Sequence, residues 1–265
     1  MARPPLASAA VEPTAPAAPA VGSAAEPEDG ARPFPVEPRD LPRHVAIIMD
    51  GNRRWARAHG VSDAEGHAAG LEAVRATLRH AVRRGIPVLT LYAFSRENWS
   101  RSPDEIAALF ELLELAIRDE TPELRAQGVR VRLLGRLEDL PSETRAAVER
   151  ALAETQAGDR LQLNVAFNYG GRTEIVDAVR EIVRRGIPAE AIDEATIAAA
   201  LYTAGLPDPD LVIRTGGELR LSNFLIWQSA YAEFYSCGIL WPDFGPEAFD
   251  AALAEYARRT RRFGR

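Results

Sequence analysis

The chain has 265 residues, 32 basic side chains against 38 acidic ones, a formal charge of −6, and 46% apolar with 26% charged residues, the profile of an ordinary soluble globular protein. Every basic side chain is arginine, which excludes lysine chemistry: no Schiff base, no pyridoxal phosphate attachment, no Walker P-loop lysine. A single cysteine, Cys237, rules out an internal disulfide and a cysteine-rich zinc site, and the acidic balance argues against a nucleic-acid partner.

Residues 1–40 hold 9 of the 19 prolines, many alanines and almost no large apolar side chains, a composition that predicts a disordered tail. The tail has no continuous apolar core of a secretory signal, and no stretch reaches the roughly 18–20 apolar residues of a membrane span. Residues 41–265 fit one large domain. Within it a strand is predicted at His44–Met49, a helix over about 64–84 and a strand at Val88–Phe94. Ser102-Pro-Asp-Glu105 then reads as a helix start, with cap, proline and two acids, opening a helix to about residue 120. Strand 129–134, helix 142–157, strand 161–167, helix 173–185 and strand 211–213 follow. This alternation predicts an α/β fold with a mostly parallel central sheet flanked by helices on both faces.

In such sheets ligands gather beyond the carboxyl ends of the strands. Four segments fall there: Asp50–Trp55, Ser95–Arg101, Asn168–Arg172 and Arg214–Ser222. Each combines arginine with glycine or other small residues, and together they carry at least three carboxylates. That composition suits diphosphates held by guanidinium groups, helix-end amides and a divalent metal. Taken singly, the residues leave alternatives open. Asp50 reads as a helix cap or a metal ligand, His67 as a helix-start residue or a ligand, and 168–171 as a glycine turn or a ligand contact. Trp55, Trp99 and Trp227 read as core aromatics or site walls, and His44, His59 and His80 as structural or solvated. The helix apolar at 106, 109, 110, 113 and 117 reads as a core stripe or a channel wall.

The string His44-Val-Ala-Ile-Ile-Met-Asp-Gly-Asn-Arg-Arg-Trp-Ala56 resembles the first signature of the cis-prenyltransferase family. The resemblance recurs in order through Gly66-His67 with Gly70, Leu91-Tyr-Ala-Phe-Ser with Glu97-Asn-Trp, and Asn168-Tyr-Gly-Gly-Arg172. It continues with Asp210-Leu-Val-Ile-Arg-Thr-Gly-Gly-Glu218, Arg220–Gln228, Ala230–Glu233 and Leu240–Phe244, and so covers 41–265. It implies a single catalytic domain with a hydrophobic tunnel. It also implies a magnesium-dependent enzyme that condenses isopentenyl diphosphate with an allylic diphosphate, such as farnesyl diphosphate, in cis configuration. The implied product is a long polyprenyl diphosphate of undecaprenyl length, the lipid carrier for cell-wall synthesis. A shorter-chain synthase and a non-catalytic partner subunit are the alternatives.

By the same resemblance Asp50 is catalytic and a magnesium contact, and Gly51, Asn52, Arg53 and Arg54, beside Trp55, form the loop that binds the allylic diphosphate. His67 is a further diphosphate contact. Asn98 matches the proton acceptor or relay, with Ser95, Arg96, Glu97, Trp99 and Arg101 around it. Asn is a poor base, so the relay runs through diphosphate or a neighbouring carboxylate such as Glu97. Arg214, Arg220, Leu221 and Ser222 match the isopentenyl diphosphate site, and Glu233 a second magnesium contact. Small Ala93 matches a tunnel position and favours a long product. Arg262-Phe-Gly264 resembles the tail that family members insert into a partner's active site, which implies a homodimer. With no export or membrane segment and an apolar product, a cytoplasmic enzyme touching the inner face of the membrane is expected. The chain departs from the family pattern at Arg53, at Leu219 and at Asp63, whose carboxylate would repel a diphosphate unless a cation such as Arg53 or Arg57 intervenes.

Overall fold

β1 (His44–Ile48) is buried along its whole length, and its side chains divide by the period of a strand. Val45 and Ile47 enter one apolar cluster, Ala46 and Ile48 another on the opposite face. A strand apolar on both faces belongs in the middle of a covered sheet, and β1 lies there in the computed structural model, which describes residues 40–259. It pairs in parallel with β2 (Val88–Ser95) on one side and β5 (Leu211–Arg214) on the other. β4 (Leu161–Tyr169) and β3 (Val129–Leu134) extend the sheet beyond β2, and β6 (Glu233–Ser236) closes it beyond β5. All six strands run parallel, in the order β3-β4-β2-β1-β5-β6.

The Val45 face is covered by α2 (Asp63–Arg84), through Ala73, Leu78 and Ala81, and by α7 (Pro246–Arg258), through Phe249, Ala252, Leu253 and Tyr256. The Ala46 face packs on Phe224 and Leu225. α3 (Pro103–Ala126) and α4 (Ser142–Thr155) pack together beside β3, and α5 (Gly171–Arg184) follows β4. Two short helices complete the set, α1 (Asn52–His59) directly after β1 and α6 (Glu194–Ala198) before β5. The expected α/β sheet is therefore present. The described residues fall in one compact unit, and none of their helices is long and apolar enough to cross a membrane. Of the expected disordered tail only Asp40 lies within the described residues.

Local chemistry explains the boundaries. α2 opens with a reciprocal cap, in which Ser62 N–H donates to Glu65 and Glu65 N–H to Ser62 Oγ. α3 starts as predicted at Ser102-Pro103 but runs through Pro122 to Ala126, longer than its sequence suggests. Gly66 and Gly70 on α2 let α1 sit directly against it, since a Cβ at Gly70 would lie 2.5 Å from Asn52 Oδ1 and one at Gly66 2.6 Å from the Asn52 carbonyl.

Candidate active site

Three strand ends converge where the sheet meets α1. Asp50 leaves β1 with its main chain gripped by Thr215, whose hydroxyl accepts from Asp50 N–H at 2.9 Å and donates to Asp50 O at 2.7 Å. The carboxylate lies between two guanidinium groups: Arg54 Nη2 approaches Oδ1 at 3.0 Å and Arg214 Nη2 donates to Oδ2 at 2.8 Å. Arg54 also donates to Gly216 O at 2.7 Å. Gly216 has φ 79°, a backbone that favours glycine, and a Cβ there would stand 2.2 Å from Arg54 Nη2 and displace that guanidinium. Arg214 is 4% exposed, and its second amino group donates to Ser222 Oγ at 2.7 Å.

These groups face a cavity of about 280 Å³ lined by Asp50, Gly51, Asn52, Arg53, Arg54, His67, Ser95, Asn98, Arg101 and Arg214, with Tyr92, Ala93 and Leu109 as its apolar wall. Four arginines and one carboxylate line it; Arg53 and Arg101 are also paired with Asp63 and Glu105 behind the wall, and the group as a whole keeps a net positive charge. Gly51–Arg54 was expected as a loop, but only Gly51 is; Asn52 already begins α1, whose start has no side-chain cap. An eight-residue helix is too short to register as a periodic pattern, and its uncapped first-turn amides are anion donors. Three buried polar atoms here have no partner: Asn52 Oδ1, His67 Nε2 and Arg214 Nε. Burial and the nearby Arg101 charge hold the His67 pKa below its usual value, so the ring is neutral. Asn52 Nδ2 lies 3.4 Å from His67 Nδ1, and in the tautomer that accepts this contact Nε2–H is a donor without a partner.

β2 reaches the cavity through a bulge. Its register with β4 shifts between Tyr92 and Phe94, so consecutive residues Tyr92 and Ala93 both line the cavity, which a regular strand forbids. In the turn that follows (Arg96–Ser100), Ser95 N–H donates to Asn98 Oδ1 at 2.9 Å. The Asn98 amide therefore offers the cavity its NH2 donor. Glu97 faces away into a neighbouring cleft with Arg172, Ser222 and Ile226, where Asn223 Nδ2 donates to its Oε1 at 2.7 Å.

Other expected site residues lie elsewhere. Trp55 stacks on His59 and donates to Asp243 at 2.8 Å. Arg96 pairs with Asp139, and Trp99 donates to Asn168 Oδ1 at 2.8 Å while packing edge-on against Phe94. Asn168 also donates to Arg136 O, so the end of β4, joined to α5 through Gly170 alone, supports this wall and does not line the cavity. The Arg220 guanidinium pairs with Glu218 at the surface, and its carbonyl accepts from Arg214. Leu221 packs against the Phe224 cluster. Glu233 and Asp50 are not brought together within the chain. Glu233 pairs in register with Leu211, about 10 Å along the strand from Arg214, and it binds Arg259 at 2.9 Å. Sequence spacing could not reveal this, because β6 is a short edge strand, half-buried throughout, without alternation. Asp63 is neutralised as anticipated, by Arg53 Nε at 2.8 Å.

A second cleft of about 570 Å³ adjoins the cavity between α2 and α3. It shares Arg53, His67 and Leu109 with the cavity and continues along Ala108, Leu112 and Leu115. The predicted α3 stripe mostly does not face it: Ile106, Leu109, Phe110 and Leu113 pack with Phe94, Leu140 and Phe167. A 24-residue helix with apolar residues on two flanks buries one and turns the other to the cleft.

No group of three or more His, Cys, Asp or Glu close enough to cage a metal occurs among the described residues. Magnesium bound to a diphosphate uses only one or two carboxylates and takes the rest of its oxygens from phosphate and water. Asp50, with its side chain 28% exposed beside orphaned phosphate donors, fits that requirement.

The family described as "putative undecaprenyl diphosphate synthase" matches residues 48–264. The isoprenyl transferase of Heliobacterium mobile is 49% identical over 233 residues, covering 86% of this chain and 90% of that protein. That of Geobacillus kaustophilus is 50% identical, covering 84% and 89%. Among solved structures, lavandulyl diphosphate synthase from Lavandula x intermedia, in complex with dimethylallyl diphosphate, superposes with a TM-score of 0.83 at 39% identity, over 86% of this chain and all of that one. A "probable undecaprenyl diphosphate synthase" from Campylobacter jejuni gives 0.72 at 32%, over 85% and 99%. The motifs at the strand ends and the fold that gathers them thus agree: the chain belongs to the undecaprenyl diphosphate synthase family of isoprenyl transferases, enzymes of isoprenoid biosynthesis.

Proposed function

We propose that this prenyltransferase elongates an allylic diphosphate, farnesyl diphosphate as starter, with isopentenyl diphosphate units in cis configuration to undecaprenyl diphosphate. The observation that carries the reading is the pairing of one carboxylate, Asp50, with Arg54 and Arg214 from separate elements, in a cationic cavity that adjoins an apolar cleft. Arg53, Arg54, the first-turn amides of α1 and His67 Nε2 bind the allylic diphosphate, while Arg214 and Ser222 hold the isopentenyl diphosphate. Arg101 and the Asn98 amide orient oxygens between the two.

Asp50, together with diphosphate oxygens, would hold magnesium, which would supply charge neutralisation to the leaving group. In each cycle the isopentenyl double bond forms the new carbon–carbon bond, the allylic carbon–oxygen bond breaks with its electron pair on diphosphate, and one proton is lost. The fixed arginines are already oriented toward the charge that develops on the leaving diphosphate. Asn98 serves as a donor to diphosphate, because its carbonyl is engaged by Ser95, and Glu97 lies in the neighbouring cleft. The proton therefore leaves by way of diphosphate. The growing chain passes Ala93 and Leu109 into the cleft between α2 and α3.

The catalytic domain is assigned to residues 41–265. The homodimer, with Arg262-Phe-Gly264 reaching the partner site, comes from the motif resemblance, since 260–265 lie outside the described residues; the cytoplasmic location and the contact with the inner face of the membrane are read from the sequence pattern and the apolar product. The test is to incubate the protein with farnesyl diphosphate, labelled isopentenyl diphosphate and magnesium and to size the dephosphorylated products. Undecaprenol-length chains support the reading, one or two additions make it a short-chain synthase, and no incorporation overturns it. Ala93→Leu, which fills the cavity wall, is expected to shorten the products.

A further inference from the structure

The segment after β5 carries three non-glycine residues in the left-handed region, Ser222 (φ 49°), Asn223 (φ 63°) and Leu225 (φ 43°). Such backbone persists only where its surroundings hold it, and it gathers at functional sites. Here one side chain does most of the holding. Asn223 Oδ1 accepts Arg172 N–H at 2.9 Å from the start of α5, and its Nδ2 donates to Glu97 Oε1 at 2.7 Å from the turn after β2. Its carbonyl accepts Gly171 N–H at 2.7 Å. The residue before it, Ser222, accepts from Arg214 through Oγ at 2.7 Å and from the Tyr92 hydroxyl through its carbonyl at 3.3 Å. Arg214 in turn grips Asp50 at 2.8 Å. A continuous chain of bonds therefore runs from Glu97 through Asn223 and Ser222 to the Arg214–Asp50 pair.

We propose that Asn223 is a positioning residue that sets Ser222 and the Arg214 guanidinium for diphosphate, with Glu97 serving as the acceptor that orients its amide. The proposal rests on the function proposed above. Asparagine suits the place because it tolerates a left-handed backbone and carries a donor and an acceptor on one short planar group. Aspartate keeps the shape but sets a second carboxylate against Glu97. Reversing the polarity of both partners restores the pattern: the carboxylate introduced by Asn223→Asp accepts from Arg172 N–H and from the amide introduced by Glu97→Gln.

Steady-state kinetics test this on the full chain. Asn223→Asp is expected to raise KM for isopentenyl diphosphate about 10- to 100-fold, the size of one lost charge-assisted hydrogen bond, with KM for the allylic substrate changing less than about threefold. Glu97→Gln alone is expected to stay within about threefold of the parent, because its amide oxygen still accepts from Asn223, whereas a proton-accepting Glu97 would lose turnover. The double variant is expected to recover KM to within about threefold. Equal changes in both KM values, a double variant no better than Asn223→Asp, or an Asn223→Asp enzyme like the parent would each overturn the proposal. If the parent itself adds no isopentenyl units, the functional reading fails instead. The melting shift induced by inorganic pyrophosphate then decides the positioning claim: it is expected to be lost in Asn223→Asp and regained in the double variant, and any other pattern refutes it.

Discussion

The two ends of the central strands treat buried polar groups in opposite ways. At the amino end, His44, fully buried, donates from Nδ1 to Pro207 O and accepts at Nε2 from Thr90 Oγ1, both at 2.7 Å. Thr90 accepts from Asn164 at 2.9 Å, and Asn164 from Gln162 at 3.2 Å. This chain crosses β1, β2 and β4 and ends on main-chain carbonyls, Pro207 O at one end and Arg130 O, which accepts from Gln162 Nε2 at 3.1 Å, at the other. At the carboxyl end pairing is incomplete: Asn52, His67 and Arg214 each keep a buried polar atom without a partner. Complete pairing fixes register; open pairing leaves polar atoms for a ligand to complete.

The contrast is broken most decisively at the open end. Asp50→Ala is expected to lower turnover by about 10²- to 10³-fold while circular dichroism and melting show an intact fold; a variant with full turnover removes Asp50 from the chemistry. At the closed end the effect moves to stability. Thr90→Val orphans His44 Nε2 and Asn164 Nδ2, at about 1–3 kcal/mol for each, and urea unfolding is expected to record the loss with both KM values unchanged.

The His44 pKa is lowered to about 4, chiefly by burial. The unfolded imidazole takes up a proton near its ordinary value of 6.5 and the folded one does not until about 4, so this group's contribution is complete above the upper value and is lost as pH falls toward the lower. That amounts to on the order of 3 kcal/mol. His44→Gln is expected to flatten the urea midpoint across that window relative to the parent, and an unchanged slope rejects the assignment. The smallest effect belongs to the rim. Arg53 and Asp63 are both partly exposed, so Asp63→Asn is expected to change stability by less than about 1 kcal/mol, a difference that should vanish in about 1 M salt.

Much of this was legible in the sequence because it depends on local pattern. The apolar run 44–48 declares a central strand, and the Ser102-Pro103 cap declares α3. Three of the four segments expected at strand ends do line the cavity. What escaped depends on pairing between distant parts. Neither α1, eight residues long, nor β6, a four-residue edge strand, carries a periodic signal. Asn223 escaped because its partners, Glu97 and Arg172, lie 126 and 51 residues away. Its one local sign was an asparagine between a serine and a buried phenylalanine. The stripe on α3 was read correctly as apolar, but periodicity cannot say which flank meets a cleft.

The placement of β1 between β2 and β5 also governs how the molecule must be assembled. Asp50 and Arg214 are separated by 164 residues, so at a synthesis rate of about 5–20 residues per second its guanidinium partner emerges roughly 10–30 s after it. Throughout that interval one edge of the most apolar strand has no neighbour to pair with, a state open to misassociation. The active site is thus among the last parts of the chain to be completed, and parallel pairing across such a separation makes its closure a slow folding step.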